Sequence, residues 1–151
     1  MKKPTPFLWF DGQAEEATNF YVATFKNAKT LSMSRRGDGS VMAATFEING
    51  QEFIALNGGP QFKFSEAVSF LVSCETQQEV DELWDKLSEG GAKQRCGWLK
   101  DKFGLSWQVV PAALGQMLQD KNRTKANNVM AAMMKMDKID IAALQQAYDQ
   151  G

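Results

Sequence analysis

Few side chains in this sequence have the chemistry of an acid–base catalyst or a metal ligand. There is no histidine, so the commonest general base and the commonest ligand of first-row metals are both absent. Cys74 and Cys96 are the two thiols, but a thiol becomes reactive only when a cation or a base stabilises its thiolate. Arg95 adjoins Cys96 in the sequence. Cys96 and Asp11 are therefore the two weak candidates for catalytic residues, with a structural thiol and a turn carboxylate as the alternatives.

The charge balance and the glycine-containing segments exclude several classes of site. Lys and Arg number 17 against 18 Asp and Glu, without any basic run, so neither nucleic acid nor a membrane is an expected partner. Gly58-Gly59-Pro60 lacks the Lys-Ser/Thr that completes a phosphate-binding loop. A Rossmann-type site for S-adenosylmethionine would need alternating strands and helices and a glycine-rich first turn, and the sequence shows neither.

The composition is that of an ordinary globular domain. Of the 151 residues, 44% are hydrophobic and 23% are charged, which are values typical of a folded chain with one core. No apolar stretch of signal-peptide or membrane length follows the basic start at residues 1–4. We therefore expect a cytoplasmic protein whose cysteines are buried thiols rather than a disulfide.

The first sixty residues predict a β-α-β-β-β order. The apolar run Phe7–Phe10 favours a strand, and Ala14, Ala17, Tyr21 and Phe25 follow with helical spacing. The predicted elements are a strand over 7–10, a helix over 13–25 and strands over 30–36, 41–48 and 53–57.

Alternation and turn residues define the hairpin within this region. The alternation predicts that Met42, Ala44, Phe46 and Ile48 share one face of a strand and that Val41, Ala43, Thr45 and Glu47 share the other. Asn49-Gly50 is a strong signal for a two-residue turn into the returning strand.

The same order recurs in the second half of the chain. Thr76 and Glu79 form a capping box at the start of an amphipathic helix, which Gly90-Gly91 ends. Phe7-Leu8 matches Phe70-Leu71 at an offset of 63 positions, which indicates an internal duplication. The second set of predicted elements is a strand over 67–73, a helix over 76–89 and strands over 92–95, 98–102 and 105–110.

Past Pro111 the pattern changes to helix. Asp140 can cap a last helix that runs through Leu144 and Tyr148. Methionine is unusually frequent in this tail, which favours packing against a sheet or another subunit, with a ligand-facing role as the alternative. The apolar clusters are Leu114, Met117 and Leu118, and then Val129, Met130, Met133 and Met134.

With these elements in place, several segments resemble the PhnB-like proteins. That family is labelled a 3-demethylubiquinone-9 3-methyltransferase domain and belongs to the glyoxalase/bleomycin-resistance/extradiol dioxygenase (vicinal oxygen chelate) superfamily. The resemblance implies an α+β fold of two β-α-β-β-β modules that form half-open barrels, followed by C-terminal helices, in a homodimer. We divide a single domain, 1–151, into module one (5–60), module two (66–111) and a helical tail (112–150). The resembling segments are 6–10, 14–17, 20–21, 53–60, 96–101 and 106–111.

The resemblance also shows where metal ligands would lie. Ser69 and Pro6 occupy the positions of the usual histidines, with Phe7 as the alternative to Pro6 if the register shifts by one. Asn57 and Gln108 lie near the positions of the usual carboxylates. Proline offers no side-chain donor, and neutral oxygens do not compensate the dehydration of a divalent ion. We therefore expect no metal and no cofactor.

Two functions from different classes remain open at this stage, and a pure interaction protein without an enclosed pocket is a third alternative. The first is a binding protein that holds a small organic molecule in a barrel pocket without a metal. The second is a metal-independent enzyme, including the methyltransferase that the family label names. The alternative for the polar residues is that they satisfy strand ends, and the alternative for the tryptophans is core packing. The candidate ligand-binding residues are Trp9, Asn57, Ser69, Trp98 and Gln108.

Overall fold

The computed structural model describes residues 1–151, which form two compact units, Met1–Phe64 and Ser65–Gly151. The first unit contains β1 (Phe7–Phe10), α1 (Ala14–Thr24), β2 (Ala28–Arg35), β3 (Val41–Ile48) and β4 (Gln51–Asn57). The second contains β5 (Ser69–Cys74), α2 (Gln77–Ser88), β6 (Ala92–Lys93), β7 (Trp98–Lys100), β8 (Ser106–Pro111), α3 (Ala112–Leu118), α4 (Arg123–Met133) and α5 (Ile141–Asp149).

Each unit contains one four-stranded sheet, and the two sheets have the same topology. The strand order is β1-β4-β3-β2 in the first and β5-β8-β7-β6 in the second. In each sheet the opening strand pairs in parallel with the closing strand, and the other pairs are antiparallel. Neither sheet closes into a barrel. The predicted α+β class with two β-α-β-β-β modules is confirmed.

In the first unit α1 covers one face of the sheet. Tyr21 is fully buried and stacks on Phe46 with ring centroids 5.7 Å apart, and Phe46 stacks on Phe53 at 5.2 Å. Ala14 and Ala17 bring the helix close because small side chains permit it, and both are fully buried. The apolar stripe predicted for this helix is therefore the one that packs against the sheet.

One prediction for β3 is wrong. Met42 is 44% exposed, whereas Val41 is buried together with Ala44 and Phe46. The cause is a bulge, because Ser34 pairs with Ala43 and Arg35 with Val41, so that Met42 has no partner on β2. An extra residue in a strand shifts the alternation by one position and reverses which side chains face the core.

The turn between β3 and β4 is confirmed. Ile48 pairs with Gln51, and the two residues between them, Asn49 and Gly50, have φ of 48° and 83°. Positive φ at both positions matches the strand twist of a two-residue hairpin, which explains why Asn-Gly stands there.

In the second unit α2 begins at a side-chain cap and buries its apolar stripe. The hydroxyl of Thr76 accepts a hydrogen bond from the Glu79 backbone N–H at 3.1 Å. Val80, Trp84 and Leu87 lie on the buried side of the helix. The predicted helix start is confirmed.

The three tail helices surround an apolar cluster of their own. Asp140 caps α5 as predicted, since its carboxylate accepts from the Ala143 N–H at 3.1 Å. The tail methionines divide between core and surface, because Met117 is buried in the cluster while Met130 and Met134 are 43% and 55% exposed. The cluster consists of Leu114, Met117, Val129, Ile139 and Leu144.

The tail is fastened to the second module by hydrogen bonds. The Gln77 side chain donates to the Ile139 carbonyl at 3.0 Å and accepts from the Ile141 N–H at 2.7 Å. The backbone N–H groups of Cys96 and Gly97 donate to the carbonyls of residues 136 and 137. β6 ends at Lys93 instead of the predicted residue 95, because the chain turns back there: the Gln94 N–H donates to the Trp98 carbonyl and the Trp98 N–H to the Arg95 carbonyl.

None of the five helices combines the length and the apolar character that a bilayer crossing requires.

Candidate functional site

In the second unit, a row of three side chains crosses the sheet on the face opposite α2. Gln108 on β8 pairs with Leu71 on β5 and with Trp98 on β7. Directly paired residues project from the same face of a sheet, so the Gln108 carboxamide lies between an aliphatic and an aromatic side chain. Leu71 is 58% exposed, and Trp98 and Gln108 are half-buried. We call these three residues the Gln108 row.

Ser69 orients the amide at the centre of this row. The Nε2 atom of Gln108 donates to Ser69 Oγ at 2.9 Å. The Gln108 side chain makes no other hydrogen bond within the chain, so its carboxamide oxygen remains an unused acceptor. The structure therefore brings together three of the predicted ligand-binding residues, which are Ser69, Trp98 and Gln108.

Ser106 belongs to the same face, and sequence reasoning missed it. It pairs with Ser69 on one side and with Lys100 on the other, and it is two residues from Gln108. Its side chain is fully buried, and its hydroxyl has no hydrogen-bond partner. The period of two along the strand was the signal that could have identified it, since residues 106 and 108 share a face.

The one cation beside this row is already neutralised. Lys100 Nζ lies 2.8 Å from a carboxylate oxygen of Glu66. The hydrogen bond from this ammonium holds the pKa of the Glu66 carboxyl below its usual range. Apart from the buried Ser106, the polar groups of the face are therefore the neutral Gln108 amide and the Ser69 hydroxyl, beside an internally balanced ion pair.

In the first unit, both ends of the Asn57 amide bind the backbone. Its Oδ1 atom accepts from the Ala14 N–H at 2.9 Å, and its Nδ2 atom donates to the Val41 carbonyl at 2.9 Å. Asn57 thereby joins the first turn of α1 to the start of β3 from its own position at the end of β4.

Trp9 packs against a glycine turn in the first unit. Its Nε1 atom donates to the Gly59 carbonyl at 2.9 Å, and its ring meets Phe62 edge-on at 4.9 Å. A Cβ atom at Gly58 would lie 2.4 Å from the indole ring. Glycine is required at residue 58 because the indole occupies the space that any side chain would take.

Asp11 and Asn57 line one cleft of about 550 Å³ in the first unit. Asp11 is exposed and takes part in no hydrogen bond or ion pair. The remaining lining residues are Gly12, Glu15, Arg35, Arg36, Gly39, Ser40, Val41, Gly58 and Gly59.

The other catalytic candidate, Cys96, lies in the second unit beside the tail. Its φ of 59° is in the left-handed region, and its Sγ atom is 3.6 Å from the Met133 carbonyl and 3.9 Å from Met134 Sδ. The neighbouring Arg95 binds the Met134 carbonyl and pairs with Asp137. The contacts of Cys96 are with a carbonyl and a thioether, neither of which is a general base.

The residues at the superfamily's ligand positions do not fit a divalent ion. Pro6 has no donor atom, the Asn57 amide is occupied by backbone groups, and Ser69 and Gln108 bind each other. No three His, Cys, Asp or Glu side chains are grouped so that they could hold a metal ion. Tight binding of hard or borderline cations needs anionic or imidazole ligands.

Residues 2–110 match the sequence family described as 3-demethylubiquinone-9 3-methyltransferase. The chain belongs to this family. The resemblance found in the sequence is thus confirmed, and the helical tail lies beyond the matched residues. A comparison with curated protein sequences finds no match.

Solved structures support the family and the fold. A PhnB protein from Bacillus cereus is 40% identical, with a TM-score of 0.70 over 74% of this chain and 100% of that chain. A protein from Pseudomonas aeruginosa is 20% identical, with a TM-score of 0.63 over 74% of this chain and 98% of that one. The fosfomycin resistance protein FosX from Listeria monocytogenes, determined with Mn(II) and sulfate, is 14% identical, with a TM-score of 0.58 over 78% and 95%. The Pseudomonas and Listeria proteins share the fold of this chain.

Proposed function

We propose that this protein binds a small uncharged organic molecule on the Gln108 row, without a metal ion. The observation that carries the proposal is the carboxamide of Gln108, which Ser69 orients and whose oxygen is unused between Leu71 and Trp98. Small-molecule sites are mostly apolar surfaces with a few fixed polar groups. A ligand hydroxyl or N–H would donate to the Gln108 oxygen, and its apolar body would lie on Leu71 and Trp98.

The charge distribution favours a neutral ligand. Gln108, Ser69 and Ser106 are uncharged, and the Lys100 ammonium is paired with Glu66. A charged ligand would lose hydration at this face without gaining a counter-ion.

Metal independence is part of the same proposal. The neutral donors at positions 57, 69 and 108 support it, since none supplies the charge or imidazole that a tightly bound divalent ion requires.

Native mass spectrometry, compared with the denatured protein, tests both parts. An organic mass that is lost on denaturation, and that is absent from Gln108→Leu, would support the proposal. A metal-sized mass in the native protein would contradict it.

Catechol is a probe of the site that requires no co-purified ligand. It combines hydroxyl donors with an aromatic body, and its binding is measured by equilibrium dialysis. We expect Gln108→Leu to weaken binding about tenfold, because one polar contact is lost. Gln116→Leu, on the exposed side of α3, is the matched control. Equal binding by wild type and Gln108→Leu would overturn the proposal.

Methyl transfer is a second candidate function, supported by the description of the family that the chain matches. In that reaction the acceptor hydroxyl oxygen attacks the methyl group of S-adenosylmethionine, S-adenosylhomocysteine leaves, and a base takes the hydroxyl proton. The test is to incubate the protein with S-adenosylmethionine and catechol and to measure S-adenosylhomocysteine. No product above the protein-free blank would exclude this activity on catechol.

A further inference from the structure

The cleft in the first unit has one acidic wall and one basic wall. Asp11 and Glu15 come from the turn before α1 and from its first turn, whereas Arg35 and Arg36 come from the β2–β3 hairpin. The four lining charges sum to zero, and the two acids and the two bases come from different elements, which we call the acidic and the basic wall.

One ion pair already joins the two walls. The Arg35 guanidinium binds both carboxylate oxygens of Glu15, at 3.2 Å and 3.3 Å, and also donates to the Gly39 carbonyl at 3.0 Å. Arg35 and Glu15 therefore neutralise each other, and neither leaves a net charge for a ligand.

The second pair of opposite charges is not joined. Arg36 donates to the Asn57 carbonyl at 3.0 Å and makes no ion pair, and Asp11 has no partner. Asp38, on the same hairpin, is bound by the Ser40 N–H and hydroxyl at 2.9 Å and 2.6 Å. The Ser40 hydroxyl bond is the main cause that lowers the pKa of this carboxyl, and the nearby Arg36 guanidinium lowers it further without forming an ion pair at contact distance.

We propose that this cleft is a second binding site, for a small zwitterion whose ammonium group meets Asp11 and whose carboxylate meets Arg36. Such a ligand would form one ion pair with each wall, next to the ion pair that Arg35 and Glu15 form with each other. A guanidinium suits a carboxylate because its N–H groups match the two oxygens. A ligand with a single charge would form an ion pair with only one of Asp11 and Arg36 and leave the other without a counter-ion.

The zwitterion must span the gap between the two side chains, so its length is the variable to test. The probes are glycine, 3-aminopropanoate, 4-aminobutanoate and 6-aminohexanoate, each titrated into the full chain labelled with ¹⁵N and followed by amide chemical shifts. Butanoate and butylamine carry one charge each and serve as ligand controls. We expect at least one zwitterion to shift the amides of Gly12, Arg36 and Gly58 saturably, and the singly charged probes to bind about tenfold more weakly or worse.

Single substitutions test which residue binds each end of the zwitterion. Asp11→Asn and Arg36→Gln should each weaken the zwitterion about tenfold, whereas Asp149→Asn and Arg123→Gln, both in the tail, should leave its affinity unchanged. Both lining residues are exposed, and the dispersion of the amide spectrum verifies that each variant folds.

Three results would overturn this second site. They are the absence of saturable shifts with all four zwitterions, equal affinity for singly charged probes, and unchanged affinity in both Asp11→Asn and Arg36→Gln. Gln108→Leu should not affect zwitterion binding, so this result and the catechol result are independent of each other.

Discussion

Ser106 and Cys74 are buried polar side chains whose surroundings differ in kind. The Ser106 hydroxyl has no partner inside the chain. Cys74 behaves as an apolar group, as free cysteines commonly do, and only 1% of it is exposed. At the residue scale, the unpaired Ser106 hydroxyl lowers the stability of the folded state, whereas Cys74 contributes to the apolar core.

We expect Ser106→Ala to raise the free energy of unfolding by about 1 kcal/mol, because it removes a buried hydroxyl that makes no hydrogen bond. Urea denaturation measures the change. Ser69→Ala is the matched comparison and should lower the free energy of unfolding by about 1 kcal/mol, since it removes the partner of Gln108. A clear loss of stability in Ser106→Ala would show that its hydroxyl is satisfied in solution.

Burial raises the pKa of the Cys74 thiol to about 11, with smaller contributions from the Glu79 and Glu75 carboxylates. At pH 8 roughly one Cys74 thiol in a thousand is then ionised, since each pH unit changes that fraction tenfold. We expect iodoacetamide to label Cys96 in the native protein and to label Cys74 only after urea is added, as peptide mass spectrometry would show. Labelling of Cys74 at the rate of Cys96 would contradict its burial.

The same raised pKa has a consequence for stability. The unfolded chain loses the Cys74 proton near pH 9 and the folded chain near pH 11, so this contribution to stability is complete below pH 9 and is lost as the pH rises through 11. Between pH 9 and 11, the urea midpoint of Cys74→Ala should fall less steeply with pH than that of wild type. Parallel slopes would refute this link.

At the scale of elements, the two strand-end amides that the family resemblance treats alike have different roles. Gln108 has one unused oxygen on an open face, whereas Asn57 joins α1, β3 and β4 through the backbone groups of Ala14 and Val41. Whether the amide is fully hydrogen-bonded within the chain depends on how close it lies to the start of a helix, and that distance cannot be read from the sequence.

Asn57→Ala should lower the free energy of unfolding by about 2 kcal/mol, because the Ala14 N–H and the Val41 carbonyl both lose a partly buried partner. Chemical denaturation followed by circular dichroism measures it. Asn127→Ala on the exposed side of α4 is the control and should change stability by less than about 0.5 kcal/mol. Similar small effects of both substitutions would mean that the Asn57 bridge is not formed.

Elements specified by local signals could be predicted, and those that depend on a partner strand could not. Asn49-Gly50 determines its turn through its own backbone freedom, so the β3–β4 hairpin follows directly from the sequence. The bulge at Met42 depends on how β2 pairs with β3, which the alternation of one strand does not reveal. The nearness of Ser69 to Gln108 came from the family resemblance rather than from any periodicity.

At the scale of the whole molecule, the repeated element order accounts for both sheets, and the tail is the part that sequence patterns described least. Its helices could be predicted from apolar spacing and from the Asp140 cap. Its attachment could not, because the bonds of Gln77 to residues 139 and 141 span 62 and 64 positions and involve backbone groups. That Asp11 and Arg36 line one cleft was also not predicted, because they are 25 positions apart and come from different elements.

We expect a homodimer in which Met130 and Met134 contribute to the contact, since these two apolar side chains lie one helical turn apart and are exposed. Light scattering after size-exclusion chromatography should give twice the 16.8 kDa chain mass. The double variant M130E/M134E should give the chain mass, and M42E, at another exposed methionine, should not change the mass. A monomeric wild type would refute the dimer, and a dimeric double variant would refute the role of this face.

The packing of Trp9 makes this residue an intrinsic fluorescence probe of the first unit. Trp9 is the one tryptophan of that unit, and its indole rests on Gly58 and Gly59, which also line the cleft between the acidic and basic walls. The indole has an apolar body and one polar N–H group, so its surroundings change when a molecule displaces water beside that turn. Occupancy of the cleft should therefore alter intrinsic fluorescence, and ligand binding can be followed by light without attaching a label.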